Sequence, residues 1–474
     1  MVFSHLIFLY AFLPLLMLLY YARKEAGWRR GILLVFSLVF YAWGEPVYIL
    51  LMMGSALLNY LCGLLVDQRQ PDKLRKISLV MAVVINLSLL GVFKYTGFIL
   101  DSVNAVTGLA IPVPKIALPL GISFYTFQAM TYVIDVYRGY CSSQKRFTRV
   151  LLYICLFPQL VAGPIVRYVD VEEQLEHRRV SAGQINAGLW RFAIGLGKKV
   201  IFSNTCGLAC QNLLATGGNT VLGTWVAILF YTLQIYFDFS GYSDMAIGLG
   251  HMFGFTFAEN FNYPYISKSV TEFWRRWHMT LGSWFRDYVY IPLGGNRCSK
   301  ARWLCNILIV WLLTGLWHGA NWNFLLWGLY YGIFLILEKT VLQKVLAKTP
   351  AFLKHIYTLF VVMLGWALFY FEGSQVFTST GKLFGIGVAG FTSEYTNSMI
   401  YENGLLLIMA VICATPLGHT IFEALRNVMR RHLGFRSAYA VDRVIKTVLI
   451  LVLLAICTLR LAGDSYNPFI YFKF

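Results

Sequence analysis

Apolar runs recur along the chain, and the polar gaps between them alternate in charge. Residues 6–21 form the first run, followed by 32–43, 47–66, 78–100 and 121–137. A membrane-crossing helix needs about 20 mostly apolar residues. Arg23, Lys24, Arg29 and Arg30 follow the first run, and Glu45-Pro46 separates the second from the third. Arg69, Lys73, Arg75 and Lys76 come next, then a Pro-rich stretch over 111–119 with one cation, then Arg138, Lys145, Arg146 and Arg149. Basic residues gather on the cytoplasmic side of a membrane. The pattern therefore predicts successive spans with the N-terminus outside. The first run lacks a preceding positive region and a small-residue cleavage site, so it is expected to be a retained helix.

The middle of the chain is less regular. Residues 150–165 are short and hold Pro158 and Pro164, while 188–202 are interrupted by Arg191, Lys198 and Lys199. Residues 221–239 read as a clean span and 242–257 as a separate Gly-rich segment. Broken segments at membrane depth are tolerated only where protein or a water-filled cavity covers the backbone. A site is thus expected here. Later runs lie at 352–370, 405–417 and 447–461, with a basic internal stretch at 426–446. Lys94, near a span end, is expected to snorkel. These runs predict an all-α polytopic membrane protein with about 11 transmembrane helices, and re-entrant and interfacial helices besides. It reads as a single membrane-embedded domain over 1–474, with its core at 150–340.

Composition agrees with this reading. Of 474 residues, 58% are hydrophobic and 13% charged, against about 25% charged in soluble domains. Net charge is +18, from 40 Lys+Arg and 22 Asp+Glu, which loop asymmetry explains. No soluble basic domain suggests nucleic-acid binding. The nine cysteines include Cys206 and Cys210, but no second pair or nearby His completes a zinc site, so no metal is expected. No P-loop or Gly-x-Ser-x-Gly is present.

Two regions carry candidate chemistry. Residues 273–297 read FWRRWHMTLGSWFRDYVYIPLGGNR. Their cations and aromatics suit either an interfacial anchor lying flat on the membrane or a basic vestibule for a phosphate-bearing ligand. Arg275, Arg276, Arg286 and Arg297 are the candidate ligand-binding cations, and Asp287 could orient or neutralise Arg286. The second region has two apolar arms of 14 residues, 304–317 and 324–337, around His318-Gly319-Ala320-Asn321-Trp322. Each arm reaches roughly 21 Å, short of a hydrocarbon core of roughly 30 Å. Both outer flanks are basic, which predicts a re-entrant hairpin with His318 near its deep tip, or a tilted pair of spans. An ionisable group at that depth defaults to a functional role; the alternative is interhelical packing. Gly315 and Gly319 are expected to leave space beside the ring, with Trp317, Asn321 and Thr314 near it. Asp238 and Asp244, in DFSGYSDMAIG (238–248), read as braces.

These stretches resemble the membrane-bound O-acyltransferases, in the bacterial branch of alginate and peptidoglycan O-acetyltransferases and the teichoic acid D-alanine exporter. The matching segments are FPQLVAGPIV (157–166), DFSGYSDMAIG (238–248), residues 272–297, LWHGANW (316–322) and YNPFIYFKF (466–474). The resemblance covers essentially the whole chain, and PLGGNR favours the acetyltransferase type. It implies helices around a central tunnel, with His318 as the catalytic intramembrane histidine and His278 as the second histidine, on the cytoplasmic side. It also implies acetyl-CoA or another acyl thioester as donor substrate, with no permanently bound cofactor. A periplasmic or surface acetyltransferase partner would act on a polysaccharide, and the chain would sit in the bacterial inner membrane. A transporter of acylated lipid or glycan without chemistry is the competing class, though no internal repeat supports it. An acyltransferase acting directly on a lipid or protein is another.

Overall fold

The computed structural model describes residues 1–217, 219–463 and 466–470. Residues 471–474 of the C-terminal YNPFIYFKF segment lie outside the described residues. The described chain is helical, with one isolated bridge between Thr220 and Gly390. Five helices are long and apolar enough to cross a membrane: Tyr48–Leu65, Asp72–Thr107, Val221–Met252, Ala351–Tyr370 and Tyr439–Gly463. A pair bent by 55°, Glu394–Glu402 and Gly404–Cys413, makes a sixth if it counts as one span. Several other apolar runs form shorter helices, such as the 17-residue Ala26–Ala42 and Ile122–Arg138, which reach only about 26 Å.

The chain packs as two compact units. One comprises Met1–Phe192 and Ser243–Ala258. Within it, Asn59 and Asn86 exchange amide hydrogen bonds of 3.1 and 2.9 Å between neighbouring helices, which satisfies two buried polar groups with each other. Lys94 does not snorkel as expected. It is buried and donates to Ser123 Oγ at 3.2 Å. It sits in a π-helical turn, Gly91–Tyr95, whose extra residue changes the face that the ammonium meets. Asp244 pairs with Arg191 at 2.8 Å. On the same two helices Gly188 and Gly248 let the backbones touch, since a Cβ on Gly188 would lie 2.5 Å from the Gly248 carbonyl oxygen.

The second unit comprises Ala193–Tyr242 and Glu259–Phe474. Its elements used below are α1 (Val221–Met252, which also contributes to the first unit), α2 (Val270–Arg276), α3 (Met279–Phe285), α4 (Lys300–His318), α5 (Trp322–Thr340) and α6 (Ala351–Tyr370). One sequence expectation changes here. Residues 221–239 and 242–257 are not separate segments: α1 runs unbroken for 32 residues. Its polar residues do not break it because they find partners, Asp238 with Lys199 at 2.6 Å and Asp244 with Arg191. The basic 426–446 stretch is likewise helical, inside Leu417–Gly463.

The histidine hairpin is also longer than the apolar arms suggest. α4 and α5 have 19 residues each, or about 28 Å, against roughly 21 Å for the apolar arms alone. Ser299 caps α4, its Oγ accepting from Arg302 N at 3.4 Å. The expected space beside the glycines is filled. A Cβ on Gly315 would lie 2.2 Å from the Phe324 carbonyl oxygen, and one on Gly319 would lie 2.2 Å from the Phe324 ring. A Cβ on Gly328 would lie 2.4 Å from the Trp311 carbonyl oxygen. These glycines set the close approach of the two helices. Gly315→Ala or Gly328→Ala should therefore cost about 1–3 kcal/mol and lower the melting temperature in detergent. Gly27→Ala, with nothing within 4 Å of the added methyl, should leave it unchanged.

Candidate active site

The site is built where α2 ends and α3 begins. Two backbone strands of irregular structure pair there. Asn262 N donates to Arg276 O at 2.9 Å and Met279 N donates to Asn260 O at 2.9 Å. Arg276 Nη1 adds a bond to Asn262 O at 3.1 Å and its guanidinium pairs with Glu272 at 2.9 Å. This pairing holds His278 and Tyr263 in the left-handed region, at φ 42° and 44°. A non-glycine residue there costs of order 1–3 kcal/mol and is sustained only by its surroundings.

A buried carboxylate fixes the other end of α2. Glu338, in the last turn of α5, accepts from Val270 N at 2.6 Å, Thr271 N at 2.8 Å and Thr271 Oγ1 at 2.6 Å. A carboxylate opposes the dipole of its own helix C-terminus. Here it satisfies the unpaired amides that start another helix. With both ends held, α2 buries Phe273 and is followed by buried Trp277 and His278. Within the 273–297 stretch Trp277, His278, Trp284 and Phe285 are buried in the unit, while Arg275, Arg286 and Arg297 are exposed.

His278 is 2% exposed. Its Nδ1 lies 3.0 Å from Asn260 Oδ1, which also accepts from Thr280 Oγ1 at 2.9 Å. Its Nε2 is buried and has no hydrogen-bond partner among the described residues. The ring meets Phe239 edge-on at 4.6 Å and Trp317 at 5.7 Å. Trp317 in turn meets His318 at 5.0 Å. His318, 5% exposed, ends α4. Trp327 of α5 and Phe369 of α6 also stand edge-on to it, at 5.1 and 5.4 Å. The structure thus brings both sequence-predicted histidines to one indole.

A cavity of about 210 Å³ leads away from His278. Trp274, Trp277, Leu281 and Trp311 form apolar walls, Thr314 lies along it, and Arg286 and Lys339 supply its cations. Arg286 is 62% exposed in its side chain and pairs with Asp287 at 2.7 Å. Arg275 and Arg297 are exposed and line no part of the cavity, and Arg276 is engaged with Glu272. Asn321 stands at the N-cap of α5 without a side-chain cap bond. Asp238 is buried elsewhere in the unit, paired with Lys199 and accepting from Ile470 N at 2.9 Å. Sequence reasoning missed Asn260, Glu338, Lys339 as a cavity residue, and the Trp327–Phe369 pair. Only Glu338 carried a signal, an acid closing an apolar helix.

With this geometry in view, the similarities to known proteins become specific. The membrane-bound O-acyltransferase family matches residues 141–380, a stretch holding both histidines, Asn260 and every residue of the cavity. The chain belongs to this family. It is 37% identical to the probable alginate O-acetylase AlgI of Azotobacter vinelandii, with both chains covered in full. It is 31% identical to the peptidoglycan O-acetyltransferase of Helicobacter pylori, over all of this chain and 98% of that one. The teichoic acid D-alanyltransferase of Bacillus subtilis is 33% identical, but over 46% of this chain and 58% of its own. The protein is therefore an integral-membrane O-acyltransferase.

The Lys199–Asp238 pair should matter for stability. Removing one member of a buried pair leaves an uncompensated charge and typically costs about 3–5 kcal/mol. Lys199→Met should lower the melting temperature in detergent, and Lys199→Met with Asp238→Leu should recover part of the loss.

Proposed function

We propose that this enzyme takes an acetyl group from a cytoplasmic acetyl-CoA thioester and passes it to a hydroxyl reached from the other face of the bacterial inner membrane. The end use would be O-acetylation of an envelope polysaccharide such as alginate or peptidoglycan, in keeping with the names of the full-length relatives. The observation that carries the reading is the cavity, which joins two cations to the buried imidazole of His278. Arg286 and Lys339 suit the donor's phosphates, and the apolar walls suit its thin thioester arm. His318 is edged by three aromatic rings. An acceptor able to reach it is a slender hydroxyl-bearing group and not a polymer strand. That favours delivery through a separate periplasmic or surface partner.

In this mechanism neutral His318 takes the proton of the acceptor hydroxyl as that oxygen attacks the thioester carbonyl carbon. The carbon–sulfur bond breaks and the acetyl group ends on the acceptor oxygen. The proton passes from His318 to His278, which faces the donor cavity, and then to the departing thiolate. The donor leaves as free thiol and both rings return to neutral. His278 lies outside the five candidate spans. Burial, and then the charge of His318, hold its pKa well below the ordinary imidazole range, so it is neutral at pH 7 and able to accept a proton.

Purified protein should release thiol from acetyl-CoA when an acceptor is supplied, and His318→Ala should abolish this. Arg286→Ala and Lys339→Ala should each raise the donor KM severalfold with little change in kcat. A purified protein that moves acylated material between vesicle faces but never cleaves a thioester would instead be a transporter.

A further inference from the structure

Asn260 belongs to an irregular segment 18 residues before His278, and its side chain is 1% exposed. Three groups converge on its Oδ1: His278 Nδ1 at 3.0 Å, Thr280 Oγ1 at 2.9 Å and Thr280 N at 3.4 Å. The Thr280 backbone N–H can only donate. The atom it meets is therefore the amide oxygen, and not the amide nitrogen. An imidazole nitrogen facing a carbonyl oxygen must carry the hydrogen to make a bond. The Asn260 backbone supports the same arrangement, its carbonyl accepting from Met279 N at 2.9 Å.

From this geometry we infer that Asn260 is a positioning residue that holds His278 in the Nδ1–H tautomer, leaving the lone pair on Nε2. The inference rests on the reading that His278 moves a proton during acyl transfer. Nε2 is the ring nitrogen with no partner among the described residues, and His278 lines the donor cavity. In the other tautomer Nε2 would carry hydrogen and could not receive a proton. Nδ1 would then set a lone pair against the lone pairs of Asn260 Oδ1. The left-handed backbone at His278 is what turns Nδ1 toward Asn260 while the ring stays between Phe239 and Trp317. Fixing a histidine's tautomer through a hydrogen bond to its far nitrogen is a known determinant of rate, and a wrong tautomer can cost about 10⁴-fold in kcat.

The groups around the ring define the pH behaviour. Asn260 and Thr280 face it from the irregular segment and α3, Phe239 from α1, and Trp317 from α4. His318 on α4 is the titratable neighbour that acts on it, and Arg286 and Lys339 line the same cavity. No carboxylate is among these neighbours. A carboxylate at position 260 would keep the acceptor and also favour imidazolium.

The test uses purified full-length enzyme with acetyl-CoA, and follows thiol release from pH 4.5 to 9 in wild type, Asn260→Leu, Asn260→Asp, Thr280→Val and His278→Ala. Melting temperatures confirm that each variant is folded. Asn260→Leu should lose at least tenfold in kcat with donor KM unchanged. Asn260→Asp should retain turnover at high pH, with its acid limb moved up by about one pH unit or more. Thr280→Val removes the other side-chain donor to Oδ1 and should remain within about threefold of wild type. If Asn260→Leu falls apart, Asn260→Asp and Thr280→Val still decide. Asn260 is only a brace for the segment if Asn260→Asp loses activity at every pH with an unmoved acid limb, or if Thr280→Val itself loses tenfold or more in kcat. A folded Asn260→Leu enzyme with wild-type kcat, alongside an inactive His278→Ala, overturns this inference alone. Wild-type turnover by His278→Ala overturns the reading beneath it as well.

Discussion

The pairing of residues 260–262 with 276–279 is the constraint on which the site depends. Two backbone hydrogen bonds of 2.9 Å and the Arg276 side chain close a short irregular ladder. Closing it forces His278 into a left-handed conformation that its side chain does not favour. That conformation directs one ring nitrogen to Asn260. It leaves the ring between aromatic faces contributed by α1 and α4. Glu338 holds the far end of α2 against α5, so the ladder is anchored to the same hairpin that carries His318. The two histidines, 40 positions apart, are thereby both brought against the Trp317 ring.

Around this constraint the packing serves two purposes. Glycines at 315 and 328 bring α4 and α5 into backbone contact, with Phe324 filling the space beside Gly319. Trp327 and Phe369 then close on His318. A ring held among aromatic edges, 5% exposed, has little room beside it. The other histidine keeps an unpartnered nitrogen and a cavity with cations. Both imidazoles are buried, but only His278 lines the cavity that carries Arg286 and Lys339.

The fold class was legible because it rests on bulk properties: long apolar runs, few charges and basic gaps. Element boundaries were less so. The polar DFSGYSD segment looked like an interruption because sequence alone does not show that Asp238 and Asp244 are satisfied by Lys199 and Arg191. The hairpin arms looked short because only their apolar residues were counted, whereas α4 already begins at Lys300 and α5 runs through Glu338 to Thr340. His318 stood out as an ionisable group within apolar sequence, and His278 through the family resemblance. Asn260 did not, since nothing local distinguishes it from any loop asparagine. The arginines were visible as a group, but their roles were not: Arg276 is occupied by Glu272, and Arg286 shares the cavity with Lys339 from another helix. Such sharing is a property of tertiary contact and leaves no mark on either segment.

The central claim is acyl transfer through His318 from a donor on one face to an acceptor on the other. Sealed proteoliposomes of uniform orientation would test it most directly, with radiolabelled acetyl-CoA on the cytoplasmic side and the acceptor system enclosed on the opposite side. The account predicts that labelled, covalently bound acetyl accumulates on the enclosed acceptor with wild-type enzyme and stays at background with His318→Ala of equal folding and orientation. Equal accumulation with His318→Ala, or label that crosses only as intact thioester, would contradict it.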